Sequence, residues 1–232
     1  MEITGLEDFV LWTYDKDGNV NTDTNGFVYD GNKGKVFDDE NKEIKGLFKV
    51  DLASSYGATQ ANITGLAPTV NRVYGSNAMA EVNVGAEQPS IALAANDIPH
   101  QVYDLLTGLK LDEHKGYARK GQANPTIGGV IAHTHNTHKN IDLYVAFPMG
   151  TFVPGDLNMG TNTENPNVVH DALTLNAQAR GTDSLLYEKF YSDETGFSLG
   201  EMYKYITGQT PVDNTAGNKQ ATDTQGNSIK KD

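Results

Sequence analysis

"IGGVIAHTHNTHKNIDLYVAFPMGTF", residues 127–152, decides the fold. In its second half Ile141, Leu143, Val145 and Phe147 fall at every second position, with Asp142, Tyr144 and Ala146 between them. A period of two sends alternate side chains to opposite faces, which is a β-strand and not a helix. The first half, "IGGVIAHTH" (127–135), is a second strand, and the polar residues Asn136–Asn140 between them read as a turn. The stretch is a β-hairpin.

Working outward, the same period recurs. "LEDFVLWTY" (6–14) is rich in aromatic and branched residues and predicts a first strand. "GLFKVDLAS" (46–54) sets Phe48, Val50 and Leu52 against Lys49 and Asp51, the pattern of a half-buried strand. "NAMAEVNVG" (77–85) sets Ala80, Val82 and Val84 against Met79, Glu81 and Asn83, and "SIALA" (90–94) follows. "DALTLNAQAR" (171–180) places Leu173, Leu175, Ala177 and Ala179 on one face. "SLLYEKFYSD" (184–193) is apolar and aromatic on both faces, which suits a central strand or one whose outer face meets another subunit.

Helical periodicity is confined to two places. "NDIPHQVYDLLTG" (96–108) predicts an amphipathic helix with Asn96 or Asp97 as N-cap, Pro99 in the first turn and Gly108 as stop. Its apolar stripe is Ile98, Val102, Leu105 and Leu106, which must lie on a sheet. "SLGEMYKYITG" (198–208) predicts a short second helix from Ser198 to Gly208. Between these elements residues 15–45 are a polar insertion with a small hairpin around Asp30–Gly34, and residues 54–76 read as a long loop poor in apolar anchors. No apolar period survives past Gln209, so 209–232 reads as a flexible tail. The expected architecture is mainly β and antiparallel, one domain over 1–208 with one helix packed on the sheet.

Composition narrows the function. The chain has 232 residues, no cysteine and a formal net charge of −12. Without cysteine there is no disulfide, no thiolate nucleophile and no cysteine-ligated zinc. Phosphate binding needs clustered Lys and Arg, which are scattered here, so general nucleic-acid binding is not expected. No apolar run approaches the ~20 residues of a membrane helix. The opening "MEITGLEDFV" is acidic and lacks the pattern of a secretory leader.

Three groups of residues invite a chemical reading. His133, His135 and His138 lie within "AHTHNTHKN" (132–140). A His-x-His pair on a strand shares one face and can bind zinc, with His138 or Asp142 completing a set, but no general base is built in as it is in a helical H-E-x-x-H. A polar hairpin without a metal is the simpler reading. "NTDTNGFVYDGN" (21–32) matches the first half of a calcium loop at Asn21, Asp23, Asn25 and Gly26, yet Asn32 stands where the bidentate Glu belongs, so it reads as a polar turn. Serines near glycine in "SYG" (55–57) and "YGSN" (74–77) have no base beside them, and no phosphate-binding or nucleophile-elbow motif occurs. No catalytic, cofactor-binding or metal residue is assigned.

The order of segments carries a resemblance. "ITGLEDFVLW" opens the chain, "GLFKVDLASS" precedes a loop, and "VYGSNAMAEV" (73–82) looks like a Tyr-x-x-Asn turn leading into an acidic strand. "LAANDIPHQVYDLLTGLKLD" (93–112), the 127–152 hairpin, "LTLNAQARG" and "KFYSDETGFSLGEMY" follow. In this order, over residues 3–208, the chain resembles the major tail proteins of long-tailed bacteriophages. The resemblance implies a β-sandwich or partly closed barrel of two sheets flanked by the 97–107 helix. It implies six copies in a ring with a β-lined channel, and rings stacked into a tail tube through a long loop and the terminal arms. Implied partners are further copies of itself, the tape measure protein, the tail terminator and the baseplate or distal tail proteins, with DNA only in transit. The subunit would be made in the host cytoplasm and reside in the virion without membrane anchoring. An acidic lumen would repel phosphate and fit the −12 charge, residues 54–76 would stack the rings, and the histidine tip and 15–45 would be outer or inter-ring loops. Two other classes remain open on the residues alone: an acidic β-sandwich binding module, as in virion decoration or adhesion, and a metal-dependent enzyme built on the histidines.

Overall fold

The computed structural model describes residues 5–22, 26–75, 78–119, 121, 126–156 and 171–209. The first strands are β1 (Leu6–Thr13), β2 (Val36–Phe37), β3 (Glu43–Ile44), β4 (Leu47–Val50) and β5 (Ala58–Thr64). Then come β6 (Val70–Gly75), β7 (Ala78–Val84), β8 (Ser90–Ala95), β9 (Lys110–Leu111) and β10 (Tyr117–Ala118). β11 (Ile127–Asn136), β12 (Ile141–Pro154), β13 (Asp171–Ala177) and β14 (Glu188–Tyr191) complete the strands, and the helices are α1 (Leu52–Ser55), α2 (His100–Leu106) and α3 (Leu199–Thr207).

The architecture is mainly β. An eight-stranded antiparallel sheet runs β4-β1-β11-β12-β13-β8-β5, with β14 also paired to β12. β12 is long enough for two neighbours: Leu143–Ala146 pair with β14 and Gly150–Pro154 with β13. The hairpin at its centre forms as its alternation demands, with Val130 opposite Phe147, Ala132 opposite Val145 and Thr134 opposite Leu143. The two edge strands β4 and β5 are joined through α1 alone, so the sheet curls until β5 comes back beside β1 without closing a barrel.

The curl creates two cores. Inside it lie Phe9, Leu11, Phe48, Val130, Phe147, Ile91, Leu93, Leu173 and Leu175, joined by Val102 and Leu106 of α2. On the outer face of the β4-β1-β11-β12 half lie Val10, Trp12, Leu47, Ile131 and Ala146. α3 covers them with Met202, Tyr203 and Ile206, and residues 15–45 cover them with Val20, Val36 and Ile44. Each fully buried large side chain contributes roughly 1.5–3 kcal/mol. β1 is therefore buried on both faces from Asp8 to Thr13, which explains its unbroken apolar run.

Several expectations need correction. The polar insertion at 15–45 also supplies core residues: Val20, Val36 and Ile44 are buried, and β2 pairs with β3. The strand expected over 46–54 ends at Val50. Asp51 caps α1 by accepting from the Ala53 and Ser54 amides, so Leu52 leaves the strand and is 78% exposed. Residues 54–76 are not a long loop. They hold β5, which pairs with β8, and β6, which pairs with β7. α2 begins later than its capping signals suggest. Ile98 precedes Pro99, which biases it towards extended backbone, and its amide goes to the Asp171 carboxylate at 2.8 Å. Leu105 is only partly buried, while Leu106 is fully so. α3 matches its reading, with Ser198 accepting from the Glu201 amide and Gly208 at φ 75°. Of the expected tail, residues 210–232 lie outside the described residues.

Candidate functional site

The histidines are placed by the β11–β12 hairpin. His133 and His135 share a face, as the strand period requires, and His138 sits on the turn, where its amide and that of Lys139 donate to the Asn136 side chain at 3.1 Å. His133 is not at the tip. Its ring stacks on Tyr144 with centroids 4.5 Å apart and planes 9° apart. Nδ1 lies 3.2 Å from Asp8 Oδ2 and Nε2 3.3 Å from Asp142 Oδ1. His135 Nδ1 lies 2.7 Å from the same Asp142 oxygen, and Lys49 Nζ lies 3.0 Å from Asp8 Oδ2.

Both nitrogens of His133 thus lie within hydrogen-bond distance of carboxylates. Burial opposes the charge of Asp8, but the His133 hydrogen bond and Lys49 outweigh it and hold the carboxyl below its usual range. Among the described residues, Asp112, Glu113 and His114 do bring ligand-type atoms within 4.8 Å of one another. Of that group Glu113 and His114 are exposed and Asp112 is half-buried. Of the calcium-like loop, Asp23–Asn25 lie outside the described residues and Asn32 is an exposed turn residue. Ser55 is buried at the end of α1 beside Ser54; Ser76 lies outside the described residues.

What the chain does present is surface. β6 and β7 form a two-stranded ribbon whose described side chains are all exposed. Val70 pairs with Val84, Arg72 with Val82 and Tyr74 with Met79. Opposite residues share a face, so one side of the ribbon gathers Val70, Val84, Val82, Tyr74 and Met79 around Arg72, with Tyr74 68%, Met79 56% and Val84 64% exposed. An isolated two-stranded hairpin is marginally stable in water.

A second surface is the outer face of the β12-β13-β8-β5 half, which neither α3 nor residues 15–45 cover. Its outward positions follow from the register: Thr151 and Val153, then Ala172, Thr174 and Asn176, then Ser90, Ala92 and Ala94, then Gln60, Asn62 and Thr64. None of these is ionisable, in a chain that is 21% charged. Solvated protein faces ordinarily carry mixed charge. The sequence hid this face because its members are small polar residues scattered over four strands.

An exposed arm and an uncharged sheet face are the surfaces that the described residues present. The protein-family model for the phage tail tube protein matches residues 1–214. The chain belongs to the phage tail tube protein family. It is a structural component of the virion, of the kind known as a major tail protein, and its family is not a class of enzymes. No curated protein matches the chain. In this tail tube protein, no helix among the described residues is long and apolar enough to cross a membrane.

Proposed function

We propose that six copies of the chain form a ring, that rings stack into the tail tube, and that genomic DNA passes through its channel on ejection. The observation that carries this reading is the β6–β7 ribbon, an apolar arm with no described side chain buried on its own subunit. It is the element that reaches another copy and orders there. This refines the stacking segment from residues 54–76 to the ribbon, because β5 belongs to the main sheet. β5 ends the path of the sheet and pairs with β8 alone among the described strands, and joining such an edge to the next subunit in the ring would remove the hazard of an open edge.

The bare face of β12-β13-β8-β5 lines the channel in this reading. It carries no acid, so the wall is neutral instead of acidic. DNA then slides because no cation holds its phosphates, and the −12 charge lies elsewhere on the subunit. The tape measure protein fills the channel before ejection, and the terminator and distal tail proteins close its ends.

The test is a chain in which residues 66–88 are replaced by Asn-Gly. Thr64 and Ser90 are paired neighbours at the foot of the ribbon, so a short turn can close β5 onto β8. The subunit should fold and melt normally, and electron microscopy should find no tubes. Tubes of ordinary length would refute the role given to the ribbon.

A further inference from the structure

We propose that His133 is a structural imidazolium, doubly protonated in the folded chain, whose proton clips β1, β11 and β12 together beneath α3 and makes the stability of the fold pH-dependent. The argument is geometric. An ionised carboxylate only accepts hydrogen bonds. Asp8 Oδ2 lies 3.2 Å from one ring nitrogen of His133 and Asp142 Oδ1 3.3 Å from the other. Only a ring protonated at both nitrogens can donate to both. A neutral ring would turn a lone pair towards one carboxylate, acceptor against acceptor, in a partly buried site.

The surrounding groups agree. Asp8 comes from β1 and also receives Lys49 of β4 at 3.0 Å. Asp142 comes from β12, also receives His135 of β11, and its amide donates to Ser192. Lys49 and His133 then balance Asp8 and Asp142, two cations against two anions. Tyr144 of β12 stacks on the ring and in turn on Phe197, just ahead of α3. Burial, and then the charges of Asp142, Asp8 and Asp39, keep the Tyr144 phenol neutral. Tyr203 of α3 stays neutral for the same reason, with burial again the larger cause.

The sign of the pH effect follows. Burial opposes protonation of His133, but Asp8 and Asp142 outweigh it and raise its pKa above the ordinary 6.5. A raised cation stabilises fully below the unfolded value and loses that contribution as pH climbs through the folded value. Asp8 and Asp142 are lowered from 3.8, burial opposing and their cationic partners prevailing. Their contribution is present above the unfolded value and is lost as pH falls through the folded one. The clip is therefore strongest between the two unfolded values and weakens as pH rises past neutrality.

The experiment is nitrogen NMR of the full chain carrying labelled histidine, followed from about pH 5 to pH 9. His133 should show both ring nitrogens protonated at neutral pH and lose one only at higher pH. Asp142→Asn should move that titration down. In parallel, the melting temperature of the parent should fall as pH rises through the His133 titration, and His133→Gln should flatten that fall. A singly protonated His133 at neutral pH would overturn the proposal, and that measurement needs no variant to fold. An unchanged pH slope in a folded His133→Gln would also overturn it. So would one equivalent of zinc displacing the ring protons, which would make the cluster a metal site.

Discussion

The indole of Trp12 occupies the space that a side chain at position 129 would need. The two residues are cross-strand partners in the β1–β11 ladder, and a Cβ built on Gly129 collides with the Trp12 ring and crowds the Phe147 carbonyl. Trp12 is fully buried against α3 and the 15–45 cover, so it cannot swing away. The glycine lets the largest side chain of the second core lie flat across the neighbouring strand.

Gly129→Ala should therefore destabilise the subunit by about 1–3 kcal/mol, the usual cost of overpacking. For a chain of this size each kcal/mol lowers the melting temperature by roughly 2–4 °C. Thermal unfolding of the purified subunit measures it. A melting temperature equal to the parent's would mean that Trp12 does not lie across this glycine.

The helix α2 separates two adjacent leucines. Leu106 is fully buried in the inner core, while Leu105 packs at its margin. Leu106→Asp places an unpaired carboxylate among aliphatic side chains and should cost about 4 kcal/mol or more. Leu105→Asp can turn its charge to water and should cost about 1–2 kcal/mol. Denaturant unfolding of both variants gives the comparison. Equal losses would place the helix in a different rotation from the one described.

These predictions also mark what was legible in the sequence. Strands with large apolar residues on one face announced themselves, because Leu143, Val145 and Phe147, or Ile91 and Leu93, repeat with period two between smaller or polar residues. β5 did not, because its inward positions are Ala58, Ala61 and Ile63 at an edge, and small side chains make a faint pattern. α1 was masked by the strand ahead of it. The alternation of Phe48 and Val50 seemed to continue to Leu52, while the cap at Asp51 was the stronger local signal. The surroundings of His133 were invisible for another reason. Asp8 is 125 residues away in the chain, and only the pairing of β1 with β11 brings it near. The bare face was equally hidden, since a missing charge leaves no motif.

That face yields the most direct test of how the tube handles DNA. Asn62 lies on β5 and Asn176 on β13, both pointing outward from the curled sheet and both exposed. Replacing both with Lys touches no core residue, so folding stability should change by no more than about 0.5 kcal/mol. In assembled tubes each ring would gain cations along the proposed wall. Double-stranded DNA should then be retained, and retention should fall steeply with added salt as counterions compete for the phosphates. Parent tubes should hold none. Cryo-electron microscopy of the loaded variant should find DNA density on the tube axis. Density on the tube's outer surface would place the face on the exterior, and no gain in retention would mean the face is buried between subunits.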